Sequence, residues 1–309
     1  MVLAFAAVYL VWGSTYLAIR FAIETLPPFT MAGVRFLTAG AILYAWSRWR
    51  GSPNPSLPQW KNGLVVGSLL LLGGNGGVVW AEQFIPSGLA ALLVATVPVF
   101  MVIVDWWTGS KAVPSRPVIV GLVGGFGGVA ILVDSPGLDP TNPEQLAGGI
   151  ALLAASALWA VGSIRARHVE LPPRQRMSTA VQMLTGGGAL VAVGFVLGEV
   201  GRVDLAAVSL LSFGALLYLI VFGSLIGFSC YAWILQVSSP ARVSTYAYVN
   251  PLVALILGWA LADEPLSART GVAAAVILGS VALITSRRRR SPVGPDPVDS
   301  PAEGRTTAP

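Results

Sequence analysis

The chain is a succession of apolar runs about 20 residues long, each closed by a short stretch of proline, glycine and charge. That is the length an α-helix needs to cross the hydrocarbon core of a bilayer. Ten spans are predicted, at 2–23, 29–47, 62–81, 87–107, 117–133, 147–164, 178–197, 207–233, 241–261 and 270–286. Loops such as GSPNPSLPQWK at 51–61 and DSPGLDPTNPEQ at 134–145 separate them. The N-terminal MVLAFAAVYLVWG lacks a charged leader and runs apolar for too long to be a signal peptide, so it reads as the first span. Residues 287–309 are proline-rich and polar after their arginine run, and a disordered cytoplasmic tail is expected there. The expected fold class is an all-α integral membrane protein of ten transmembrane helices.

The pattern is written twice. Trp80, Gln83, Pro98, Trp106 and Arg116 reappear 153 positions later as Trp233, Gln236, Pro251, Trp259 and Arg269. Toward the front, Arg35, Leu37, Thr38 and Gly40 are echoed 147 positions later by Gln182, Leu184, Thr185 and Gly187. Gly13-Ser14 and Pro27-Pro28 are likewise echoed by Gly162-Ser163 and Pro172-Pro173. Residues 1–135 and 146–286 therefore read as two units of five helices. An odd number of crossings turns the second unit over, which makes a 5+5 inverted-topology repeat, the architecture of alternating-access carriers. Each copy sets a proline, Pro98 or Pro251, inside an apolar segment. A mid-span proline strips a backbone carbonyl of its partner, so both are expected helix breaks beside a solute path.

Composition agrees. The chain is 55% apolar and 11% charged, whereas soluble domains carry about a quarter charged residues. A net charge of +5 and a pI near 9.7 do not point to nucleic acid. Fifteen of the 19 basic residues fall in alternate loops and the tail: Arg48, Arg50, Lys61, Lys111, Arg116, Arg165, Arg167, Arg174, Arg176, Arg242, Arg287–Arg290 and Arg305. The positive-inside rule then places both termini in the cytoplasm and the chain in the cell membrane. Trp46, Trp49, Trp106 and Trp107 fall where an interfacial aromatic belt belongs. One cysteine, Cys230, and one histidine, His168, provide neither a disulfide framework nor a metal-ligand cluster. No metal or cofactor is expected. The same scarcity weakens the alternative reading, a membrane-embedded enzyme acting on a lipid or prenyl-linked substrate.

VWGSTYLAIR in the first span, PPFTMAGVRFLTAG opening the second, and WAEQFIPSGLAALLVATVPVF through the third and fourth resemble the EamA-type carriers of the drug/metabolite transporter superfamily. The resemblance covers about residues 4–286. It implies the ten-helix inverted repeat and the export or exchange of small metabolites such as amino acids. The second unit departs from the pattern, with GSIRAR standing where the first has GSTYLAIR.

The candidate pathway residues follow from polar and aromatic side chains inside the spans. In the first, Trp12, Ser14, Thr15 and Tyr16 form a patch that either lines a cavity or bonds within its own helix. Arg35 must face protein or water, because a lipid-facing charge at that depth costs about 2–3 kcal/mol. It either pairs with Glu82 or Glu24, or meets a solute carboxylate. Asn75, among four glycines, is a buried amide open to pathway or packing roles. Trp80 and Gln83, mirrored by Trp233 and Gln236, suit gates that close alternately. Tyr246 and Asn250 share a helix face, with Tyr231 nearby, whereas the fourth span offers only Thr96 and Pro98, so an asymmetric cavity is expected. The expected partners are a small-molecule solute and the lipid bilayer. Glycine-rich faces at Gly121, Gly124, Gly125, Gly128, Gly271 and Gly279 are candidates for scaffold packing or a homodimer contact. Glu24, Glu82 and Asp105 all lie near span ends, so no carboxylate sits at mid-depth. That favours neutral, zwitterionic or carboxylate-bearing solutes and facilitated efflux or exchange over a deep proton relay, with Glu82 as the one titrating candidate.

Overall fold

A computed structural model describes residues 2–110, 116–133, 135–237 and 246–287. The expectations for Lys111, Arg242 and the tail beyond residue 287 fall outside these, as do the side chains of Gln236 and Tyr248. Among the described residues all regular structure is helical, apart from an isolated antiparallel bridge between Ser135 and Leu138.

Among the described residues, seven helical segments are long and apolar enough to cross a membrane. These are α1 (Val2–Ala22), α2 (Pro28–Trp49), α3 (Leu57–Ala81), the pair α4 (Ser87–Val94) and α5 (Val97–Asp105), α7 (Pro143–Arg165), α8 (Gln175–Val196) and α9, which runs from Leu210–Tyr218 through Leu219–Ile226 to Gly227–Val237. Three shorter apolar helices join them: α6 (Arg116–Leu132), α10 (Tyr246–Ala262) and α11 (Ala268–Arg287).

Polar caps set several helix starts. Ser56 and Gln59 form a capping box, so α3 begins five residues ahead of the expected position 62. Asn142 accepts from the amides of Glu144 and Gln145 at 3.0 and 3.3 Å and starts α7 early in the same way. Two carboxylates cap helices from distant loops. Glu199 accepts from the Thr30 amide at 2.8 Å in the first turn of α2, and Glu264 from the Ser87 and Gly88 amides at 2.7 and 2.9 Å where α4 begins. A negative group there meets both the unpaired amides and the positive end of the helix dipole.

The two mirrored prolines behave differently. Pro98 interrupts its span at Ala95–Thr96, separating α4 from α5. Pro251, expected as a second break, lies inside an uninterrupted α10. Asn250 precedes it and ties this turn to α1. In the amide orientation that suits its surroundings, its nitrogen donates to the carbonyls of Tyr9 and Tyr246, each at 3.2 Å.

Helix packing comes in exchanged pairs. α2 packs on α8, α6 on α11, and α4 on α10. α1 meets α10 as α5 meets α7, and α3 meets α7 as α9 meets α1. The glycines of α6 are largely spent within the chain: a Cβ on Gly128 would lie 3.2 Å from the Ile277 amide nitrogen of α11.

Candidate transport cavity

Wide π-helical turns lie within α3 at Ser68–Gly76 and within α9 at Leu219–Ile226, and a further one, Trp106–Ser110, follows α5. Gly73, Gly74 and Gly76 loosen the first, Gly223 the second, and such bulges recur at functional sites. Beside the first of these lies a cavity of about 130 Å³ walled by α1, α2, α3, α4, α5, α7 and α10. One water needs roughly 10–15 Å³ on this measure, so the space suits a small solute.

Of the expected residues, Trp12, Thr15, Tyr16, Arg35, Asn75, Pro98, Tyr246, Asn250 and Pro251 line this cavity. Trp12 donates from its indole to the Gly223 carbonyl at 3.2 Å. It also packs against Tyr231 and Tyr246, with ring centroids 4.9 and 5.4 Å away. Tyr231 stands behind the wall, as part of the aromatic cluster that fixes Trp12. The Thr15 hydroxyl bonds back to the Trp12 carbonyl at 2.6 Å, and its methyl lies toward Gly223.

Four expected residues sit elsewhere. Ser14 turns away to Tyr218, its hydroxyl 2.6 Å from the phenol oxygen, because consecutive residues on α1 point about 100° apart. Thr96 is fully buried and donates to the Leu93 carbonyl at 2.5 Å, patching the helix that Pro98 interrupts. Trp80 packs edge-on against Phe84, and Gln83 is exposed, bonding to the Trp80 carbonyl. The mirrored gate pair therefore lies off the cavity.

Arg35 is 3% exposed and is not ion-paired as one reading expected. Glu24 is exposed, and neither carboxylate oxygen of Glu82 receives a hydrogen bond. Instead Arg35 Nε donates to Ser224 Oγ at 3.0 Å, and the guanidinium lies 4.7 Å from the Phe36 ring centre. Gly223 makes room for it, since a Cβ there would stand 3.0 Å from Nη2. Arg35 Nη1 is buried with no hydrogen-bond partner, and so is Asn75 Oδ1. Two residues that line the cavity thus each carry one buried unmet atom, a cationic donor and an amide acceptor.

Sequence reasoning missed Ser156 and Trp159 of α7, which complete the opposite wall, and Ser224, which aims Arg35. The tryptophan had a weak signal, standing three residues before the Gly162-Ser163 echo, where Trp12 stands one residue before Gly13-Ser14.

The EamA-like transporter family model matches residues 1–134 and again 146–286. The chain belongs to that family. It is thus a membrane transporter. An inner membrane transporter of Escherichia coli K12, YedA, is 40% identical over 94% of this chain and 92% of its own length. Protein PecM of Dickeya dadantii is 27% identical over 92% of this transporter and 93% of its own length. A crystal structure with 20% sequence identity superposes at a TM-score of 0.64, covering 94% of this chain and 98% of the other, which speaks to the fold alone.

Proposed function

We propose that this transporter moves small carboxylate-bearing or zwitterionic metabolites, amino acids among them, across the inner membrane by alternating access, as efflux or exchange. The observation that carries the reading is the pair of unmet groups in one cavity, Arg35 Nη1 and Asn75 Oδ1. A buried donor or acceptor left unpaired costs about 1–3 kcal/mol, so a solute that satisfies both regains that energy on binding. A guanidinium suits a carboxylate, and an amide oxygen suits an ammonium or hydroxyl donor.

In this reading the chain crosses the bilayer ten times as two opposed five-helix units, 1–135 and 146–286, with both termini cytoplasmic. The exchanged helix pairings and the doubled family match support it. Should the carrier dimerise, α11 offers the face, since Gly271 and Gly279 have nothing within 4 Å.

Counterflow in proteoliposomes with radiolabelled amino acids and small carboxylates tests the function. Uptake of a carboxylate-bearing solute is expected, lost in Arg35→Gln and weakened in Asn75→Leu. Uptake confined to cationic solutes, or no flux alongside turnover of a lipid-linked compound, would refute it.

A further inference from the structure

The cavity wall leaves Glu82 without a role. It follows Ala81, the last residue of α3, with backbone angles still helical at φ −67° and ψ −7°. Asn75 and Val78 line the cavity, and Glu82 stands four residues past Val78, so it lies one turn further along the same face. It is completely buried, and neither carboxylate oxygen has a hydrogen-bond partner.

Charges of both signs surround it. From α1, Arg20 donates at 3.2 Å to the Glu82 backbone carbonyl, leaving the carboxylate unbonded. Tyr16, also on α1, and Arg35 on α2 both lie within its electrostatic reach, and both line the cavity. From the turn before α11 comes Glu264, held by the amides of Ser87 and Gly88. Glu24, and Glu144 in the first turn of α7, are exposed. A buried carboxylate without a hydrogen bond is far costlier than a neutral carboxyl. The like charge of Glu264 acts in the same sense, and Arg20 and Arg35 act in the opposite one.

We propose that Glu82 is a proton-binding site of this transporter and that Arg35 couples its proton to the solute. The coupling rests on the reading of Arg35 as the partner of the solute carboxylate; the proton site does not. Arg35 favours the ionised form of Glu82. A carboxylate arriving at Arg35 Nη1 cancels that influence, and Glu82 takes a proton from hydronium, releasing water. When the solute leaves, Arg35 is restored and the proton returns to water. Linkage is reciprocal, so a protonated Glu82 raises solute affinity by the factor by which solute raises proton affinity. Solute and proton then cross together, and efflux down a solute gradient carries protons out with it.

Infrared difference spectroscopy against pH, on the full-length protein in liposomes with no solute present, reads the C=O stretch of a protonated buried carboxyl. The wild type is expected to lose this band as pH rises through a midpoint above the ordinary carboxylate range, and Glu82→Gln is expected to lack it. Arg35→Gln and Arg35→Met imitate the neutralisation a solute produces and should raise the midpoint by roughly one pH unit or more. Arg35→Lys should restore it. Thermal melting confirms that each variant is folded. A wild-type transition in the ordinary carboxylate range near about 4, or a band that survives Glu82→Gln, overturns the proton site. An unmoved midpoint in both neutral Arg35 variants overturns the coupling. Failure of counterflow with these titrations intact would count against the solute assignment alone.

Discussion

Gly40 of α2 lies directly against the backbone of Leu184 in α8: a Cβ on the glycine would stand 3.0 Å from the leucine amide nitrogen. The same relation holds with the units exchanged, since a Cβ on Gly187 would stand 2.9 Å from the amide nitrogen of Leu37. Gly40 and Gly187 are 147 positions apart, as are Leu37 and Leu184. A two-fold axis between the units would generate this exchange, which supports the inverted repeat.

Because the obstructing atoms at this crossing are backbone, Gly40→Ala and Gly187→Ala should each lower stability, by about 1–3 kcal/mol, and by similar amounts. Gly188→Ala, next in the chain but with nothing within 4 Å, should leave the melting temperature unchanged. Thermal melting of the three variants in detergent checks this.

Glu264 ties the loop after α10 to the first turn of α4 through two charge-assisted bonds. Removing them in Glu264→Ala should cost about 1–3 kcal/mol, and Glu264→Gln, which keeps an acceptor but not the charge, should cost less. The melting temperatures of the two variants should fall in that order below the wild type.

Ser224 holds the Arg35 guanidinium by its Nε. Ser224→Ala leaves that donor unpaired as well and frees the side chain to swing. For any solute that scores in counterflow, KM should rise several-fold, with a smaller change in maximal rate. Ser224→Thr, which keeps the hydroxyl, should recover part of the affinity.

Side chains that line the cavity and those that point away should separate in transport assays. Asn75→Leu and Trp159→Ala alter the wall and should depress counterflow strongly. Gln83→Ala changes an exposed group and should transport near the wild-type rate. Ser14→Ala, which loses the bonds to Tyr218 and to the Val11 carbonyl and no cavity contact, should do the same. Equal losses across all four would place the path elsewhere.

The residue order alone determined an all-helical membrane protein, the doubling of the pattern, and a roster that includes Trp12, Tyr16, Arg35, Asn75 and Asn250. Hydropathy and repeat spacing are local, additive properties of a chain, and an apolar run of span length has few other uses. It did not determine which polar group faces the cavity. Ser14 and Thr15 are neighbours, yet one bonds to Tyr218 across the bundle and the other reaches the cavity wall. Pro98 and Pro251 occupy matching positions, yet only Pro98 divides its helix. Arg35 finds Ser224, 189 positions away, where acidic partners looked nearer. These choices depend on helix rotation and on which distant glycine leaves room. Both are set only when the helices pack, since 100° per residue turns a one-position difference into a different neighbour.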